Sequence, residues 1–109
     1  MAKKDKVFCT QLKGQQRFLR LLGSLDKTKG LRSGWVTLKP KESIGEHNTE
    51  NKEEALIILN GSAVVYFGKA KQLKAPKNSF VFIPPRTLHN VKNPGRKILQ
   101  YVYVTTQVA

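Results

Sequence analysis

From about residue 31 onward, the chain consists of short apolar, β-branched and aromatic runs that are separated by turn residues. The run LRSGWVTLK ends at Pro40, SFVFI leads into Pro84-Pro85, and KILQYVYVTT follows the turn residues Asn93-Pro94-Gly95. Short strands with turns at regular intervals are typical of an all-β sandwich or barrel. The sequence therefore predicts an all-β domain.

The pair Asn60-Gly61 stands between two strand candidates, EEALIILN and SAVVYFG. Asn-Gly is preferred in two-residue type I′ turns because both central residues of that turn need a positive φ. We therefore predict a β-hairpin at this pair. The segment 11–22 fits both the apolar face of a helix and a strand, so its structure stays open.

The parity of the strand EEALIILN bears on what surrounds it. Glu54, Leu56 and Ile58 share one face, and Ala55, Ile57 and Leu59 share the other. A strand that is apolar on both faces must be covered on both faces. If Glu54 points into the domain, Ile57 and Leu59 need a further layer. We predict a homodimer, with a second layer from the same chain as the alternative.

Length and cysteine content narrow the class of protein. A chain of 109 residues has room for one hydrophobic core. We expect a single barrel domain over residues 31–109, with residues 1–30 as an arm or as a strand added to the barrel. Cys9 is the only cysteine, and no apolar run approaches a membrane span of about 20 residues. The prediction is a soluble cytoplasmic protein without a membrane partner.

The net charge of +13 is unevenly distributed. Five of the seven acids lie between positions 42 and 54, and the bases elsewhere are scattered. Scattered lysines indicate a solvated basic surface, whereas nucleic-acid binding needs a basic stripe interleaved with stacking aromatic residues. We predict no nucleic-acid partner. A positive rim that attracts an anionic small molecule is compatible with this distribution.

Both histidines of the chain lie in two short segments, 45–61 and 84–93, and most of the acids accompany the first one. Two imidazoles and a carboxylate on different strands of a small β-domain are a suitable ligand set for a divalent metal. A metal site is therefore the leading hypothesis.

These two segments resemble the paired motifs of the cupins, which are small jelly-roll barrels with a double-stranded β-helix fold. The resemblance covers about residues 34 to 104. In the first motif, Glu54 and Gly61 match the end, and His47 and Thr49 fall on the two histidine positions. In the second, Pro84, His89 and Asn93 match, and Arg86 stands where glycine is usual. The resemblance implies the cupin fold.

The resemblance also implies a metal cradle. This chain supplies three of the four usual ligands, His47, Glu54 and His89, for Mn, Fe, Ni or Zn. Thr49 occupies the fourth position, and its neutral hydroxyl is a poorer ligand than imidazole. Glu53 replaces Glu54 if the preceding loop shifts by one residue.

Four other residues of these segments have open roles. Glu46 or Glu50 is a candidate to orient His47 from outside the ligand set. Arg86 either contacts an anionic ligand or is a solvated loop residue. Asn93 is expected to cap the Asn-Pro-Gly turn through its side chain.

For function, the resemblance implies a single-domain cupin that binds one divalent metal and a small polar or anionic ligand, such as a sugar or carboxylate, in the barrel. If it is an enzyme, a metal-dependent isomerase, epimerase or oxygenase is expected, because the family name specifies no single reaction. The alternative is a non-enzymatic small-molecule-binding or sensor cupin without metal, which the loss of a ligand at Thr49 favours.

Overall fold

The computed structural model describes residues 7–23 and 28–108, which form nine strands and no helix. The strands are β1 (Phe18–Leu22), β2 (Arg32–Leu38), β3 (His47–Asn48), β4 (Lys52–Asn60), β5 (Ala63–Phe67), β6 (Lys71–Ala75), β7 (Phe80–Ile83), β8 (Leu88–Lys92) and β9 (Leu99–Gln107). Within the described part of the chain, no helix is long and apolar enough to cross a membrane. The all-β prediction is confirmed.

Two antiparallel sheets enclose the core. The larger sheet has the order β1-β2-β9-β4-β7, and the smaller one has the order β3-β8-β5-β6. Alternate residues of the strands point inward because side chains of a strand alternate between its two faces. The buried core includes Leu38, Leu56, Ile58 and Leu99 from the larger sheet and Val65 and Val91 from the smaller one. The segment 11–22, which the sequence left open, contributes the edge strand β1.

The predicted hairpin at Asn60-Gly61 is wrong. Strand β4 pairs with β7 and β9, whereas β5 pairs with β6 and β8, so the turn carries the chain from one sheet to the other. Gly61 has a φ of +77°, but Asn60 is not among the residues with positive φ, so the turn is not type I′. The Asn60 side chain instead donates to Gln100 Oε1 at 2.7 Å. Pairing between distant strands overrides the local preference of Asn-Gly.

The parity prediction for β4 holds in detail. Glu54, Leu56 and Ile58 are buried, and Ile57 on the opposite face is 37% exposed. That outer face of the larger sheet carries Trp35, Val102, Ile57 and Phe80 in register across β2, β9, β4 and β7. The chain's own Gly14 carbonyl accepts hydrogen bonds from Trp35 and Gln100 on this face. At the β7 edge, Phe80 and Phe82 stay exposed, so the chain covers the face only in part.

Candidate metal centre and barrel cavity

His47 and His89 are brought together by the pairing of β3 with β8, in which they are direct partners. Their rings lie edge to face, with centroids 4.1 Å apart and planes at 63°. Glu54 reaches them from β4 in the other sheet because its parity turns it inward. The site therefore joins the two sheets, which explains why residues so far apart in sequence meet.

Distances within this group are short. Glu54 Oε1 lies 3.0 Å from His89 Nε2 and 4.0 Å from His47 Nε2. One ligand atom from each of the three residues falls within 4.8 Å of the others. His89 and Glu54 are buried, whereas the side chain of His47 is about half exposed. His47 is therefore the most exposed member of the group.

Both imidazoles are oriented by backbone carbonyls. His47 Nδ1 lies 3.1 Å from Gly45 O, and His89 Nδ1 lies 3.0 Å from Thr87 O. Because a carbonyl oxygen only accepts hydrogen bonds, each Nδ1 carries the proton and donates it. In the neutral rings, both Nε2 lone pairs then face Glu54. The predicted orientation of His47 by Glu46 or Glu50 is wrong, since the Gly45 carbonyl performs it.

When His89 is neutral, this arrangement places two hydrogen-bond acceptors, His89 Nε2 and Glu54 Oε1, next to each other. A neutral His89 presents a lone pair at Nε2, and the Glu54 carboxylate presents another at 3.0 Å. A proton or a metal cation between the two atoms removes the conflict. Burial by itself lowers the pKa of His89, but the hydrogen bonds to Glu54 and Thr87, together with the Glu54 charge, outweigh it and raise that pKa. The same geometry therefore holds either a proton or a cation.

Thr49 has a structural role in this geometry. Its hydroxyl donates to Pro84 O at 2.6 Å and accepts from Thr87 N at 3.0 Å. The residue thus ties the loop after β3 to the segment between β7 and β8, next to His89. A hydroxyl engaged in two backbone hydrogen bonds is not free to act as a fourth metal ligand without breaking them.

The remaining predicted site residues lie apart from the histidines. Glu53 has the opposite parity to Glu54, and its partner in β9 is Thr106. Arg86 is exposed, adopts a φ of +53°, and does not line the barrel cavity. Asn93 is buried, and its Oδ1 accepts from Gly95 N while its Nδ2 donates to Leu38 O and Lys97 O. The capping role of Asn93 is confirmed, whereas the exchange of Glu53 for Glu54 is wrong.

A cavity of about 370 Å³ opens beside the histidines between the two sheets, a volume within the range of small-molecule sites. His47 and Glu54 line it, together with Tyr101 and Tyr103 on β9. Three basic residues also line it, Arg20, Arg32 and Lys52.

Sequence reasoning missed these three bases. Lys52 lies on the same face of β4 as Glu54, and Arg32 lies on the same face of β2 as Val36. A charged residue on a strand face that points inward could have indicated a cavity-lining role. Arg20 gave no such signal because the strand that carries it was not identified.

Comparison with known proteins agrees with the geometry. A family model described as a cupin domain matches residues 34–105. A predicted oxalate decarboxylase from Thermotoga maritima superposes with a TM-score of 0.76 at 23% identity, over 84% of this chain and 79% of that chain. A Cupin 2 conserved barrel domain protein from Salinispora arenicola superposes with a TM-score of 0.74 at 22% identity, over 99% of this chain and 92% of that chain. These likenesses confirm the predicted double-stranded β-helix fold.

Sequence comparison adds one curated relative. Mannose-1-phosphate guanylyltransferase RfbM from Salmonella typhimurium is 30% identical over 80 residues, which are 73% of this chain. The matched segment is only 16% of that enzyme's length. The likeness therefore concerns one part of a much larger protein.

Proposed function

Because this chain belongs to the cupin family, we propose that it binds one divalent transition metal through His47, Glu54 and His89, and a small polar or anionic molecule in the adjoining cavity. The observation that carries the proposal is the orientation of the two imidazoles. Both Nδ1 atoms donate to carbonyls, so both Nε2 lone pairs converge on one carboxylate. Two imidazoles and a carboxylate suit Mn, Fe, Ni or Zn.

The residues of the chain have distinct roles in this proposal. His47, Glu54 and His89 hold the metal, which would act as a Lewis acid on a carbonyl or hydroxyl group of the ligand. The carbonyls of Gly45 and Thr87 keep the rings in the ligating tautomer. The half-exposed His47 leaves the metal accessible from the cavity. An isomerase, epimerase or oxygenase fits such an open site.

The names of two relatives indicate classes of ligand. One relative is named for mannose 1-phosphate, a sugar phosphate, and another is a predicted oxalate decarboxylase, named for a dicarboxylate. Both are small oxygen-rich anions, which agrees with a sugar or carboxylate ligand for this chain. Nucleotidyl transfer is not proposed, because the matched segment is a small part of the guanylyltransferase.

The second candidate is a non-enzymatic cupin that binds a small molecule without metal. The engagement of Thr49 in two backbone hydrogen bonds favours it, because the usual fourth ligand is missing and its position is structurally occupied. Metal content per chain separates the two candidates. Near one equivalent in protein purified without a histidine tag supports the metal site. None after resupply with Mn, Fe, Ni and Zn supports the second candidate.

The pH dependence of stability provides a further test. The raised pKa of His89 means that the metal-free protein gains stability from the His89–Glu54 pair below about pH 6.5 and loses it as pH rises through the folded-state pKa. Metal binding needs a deprotonated Nε2, so the stabilisation that a bound metal provides increases as pH rises. We expect Zn to raise the melting temperature more at about pH 8 than at about pH 6. An equal rise at both pH values would contradict the site.

We also propose that a second copy of the chain covers the outer face of the larger sheet at the β7 edge. Phe80 is 69% exposed and Phe82 is 54% exposed on this face. We expect a dimer by sedimentation velocity and a monomer for Phe80→Lys, because a charge there would be buried in the interface. Tyr66→Lys, at an exposed residue on the outer face of the smaller sheet, is the control and should stay dimeric. A monomeric wild type would refute the dimer.

The cytoplasm is the proposed compartment, since exposed Cys9 has no second cysteine with which to form an internal disulfide.

A further inference from the structure

Three basic side chains line the cavity that adjoins the candidate metal centre at His47 and Glu54. Arg20 on β1, Arg32 on β2 and Lys52 on β4 approach it from three strands of the larger sheet. Glu54 is the only acid among the described residues that line it. With neutral histidines, the cavity wall therefore carries more positive than negative charge. Such a wall raises the local concentration of anions.

The register of the strands explains how these bases reach the cavity. Arg32 pairs with Thr105, which pairs with Glu54, so the arginine lies in the same cross-strand row as the carboxylate. Arg20 pairs with Gly34, which pairs with Tyr103. A Cβ at Gly34 would lie 2.5 Å from Tyr103 Cε2, so the glycine makes room for the tyrosine ring. Both arginines therefore lie on strands whose inward face forms the site.

None of the three bases is neutralised by the acids of the described residues. Arg20 has no ion pair with them, and its guanidinium carbon lies 5.7 Å from the centroid of the Phe18 ring. Arg32 Nη1 donates to Thr28 Oγ1 and Leu31 O, both at 3.3 Å, which positions the guanidinium without cancelling its charge. Lys52 likewise forms no ion pair with these acids. Arginines that form no ion pair with the acids of the described residues are suited to bidentate binding of an oxyanion at this cavity.

Tyr101 supplies a neutral donor deeper in the cavity. The residue is 2% exposed, and its hydroxyl forms no hydrogen bond with the described residues. Every fully buried side-chain polar atom of the described residues has a hydrogen-bond partner, so the Tyr101 hydroxyl is not fully buried. Its hydroxyl therefore remains available to a cavity ligand. Burial and the Glu54 charge raise the pKa of Tyr101, so the phenol keeps its proton. Because Tyr101 lines the cavity, an oxygen of a bound ligand can accept this proton.

We infer that the cavity selects a ligand with an oxyanion group, which Arg20 and Arg32 bind with support from Lys52, while Tyr101 donates to an uncharged oxygen of the same ligand. The inference rests on the proposed function in that the ligand occupies the same cavity. Phosphate esters and carboxylates share this oxyanion chemistry. The bases are separate from the metal ligands, so anion binding and metal binding can be tested independently.

The experiment is a titration of the full chain with inorganic phosphate and with acetate, followed by NMR of the arginine Nε–H signals. We expect saturable shifts at Arg20 and Arg32, with Arg96 as an internal reference outside the cavity. Arg20→Gln/Arg32→Gln should weaken binding by about tenfold or more, because charge-assisted hydrogen bonds are lost. Arg96→Gln should change it by less than about twofold. Tighter phosphate than acetate binding indicates a phosphate ester, and the reverse indicates a carboxylate.

The outcomes separate this inference from the metal proposal. Absence of saturable shifts at Arg20 and Arg32 with either anion would overturn the inference, as would equal affinity of the double variant and wild type. His89→Ala should keep the phosphate-induced shifts, and the double arginine variant should keep the metal content of wild type. Phosphate binding by a wild type that takes up no metal would refute the metal site and leave the inference standing.

Discussion

His89→Ala is expected to abolish metal binding while the β-fold remains. His89 is 2% exposed and provides the Nε2 atom closest to Glu54, so no other described histidine or acid can take its place. Loss of a direct ligand should reduce metal affinity by more than the roughly 10- to 100-fold that is typical of indirect partners. The measurement is metal content per chain by plasma mass spectrometry, with folding checked by circular dichroism.

The matched control is Leu88→Ala. Leu88 precedes His89 on β8, is 42% exposed, and points to the opposite face of the strand. This variant should keep the metal content of wild type. In metal-free protein, His89→Ala should also cost about 1–3 kcal/mol of unfolding free energy, since Glu54 stays buried without its partner. Metal retained by His89→Ala would show that the ligand set is wrong.

Gly61→Ala is expected to be among the most destabilising single substitutions in the chain. Gly61 has a φ of +77°, and an added Cβ would collide with the carbonyl oxygen of Ile98, part of the backbone leading into β9. A side chain at positive φ costs about 1–2 kcal/mol. Displacement of a rigid backbone adds to this, so we expect a total of about 3 kcal/mol or more. Urea unfolding, followed by the fluorescence of the single tryptophan, Trp35, measures this loss.

Gly68→Ala separates the cost of a side chain at positive φ from the cost of a collision with the backbone. Gly68 has a φ of +57°, but an added Cβ would meet nothing within 4 Å. This variant should therefore lose only the conformational part, about 1–2 kcal/mol. Equal losses in both variants would show that the approach of Gly61 to Ile98 has no energetic consequence.

Local patterns were sufficient for much of the fold and for the choice of His47, Glu54 and His89 as candidate metal ligands. Alternation along β4 correctly turned Glu54 and Leu56 inward, because side-chain direction in a strand has a period of two. Motif spacing selected His47 and His89, and the structure makes them direct cross-strand partners. The role of Asn93 was also predictable, since Asn before Pro-Gly commonly bonds its own turn.

Other features depended on which strands become neighbours. Asn60-Gly61 has a local preference for a hairpin, but β4 and β5 join different sheets, and the approach of Gly61 to Ile98 shapes the turn. The convergence of Arg20 and Arg32 on the cavity required the pairing of β1 with β2 and of β2 with β9.

By itself, the sequence determined the strands with clear alternation, the three candidate metal ligands and the uneven charge, because each is a property of residue type and spacing. Only the tertiary structure decided the sheet to which each strand belongs, the carbonyls that orient the histidines, and the bases that share their cavity. Those features arise from contacts between residues far apart in the chain. Such contacts depend on which strands pair, and pairing is determined by the burial of side chains on the sheet faces rather than by local sequence preference.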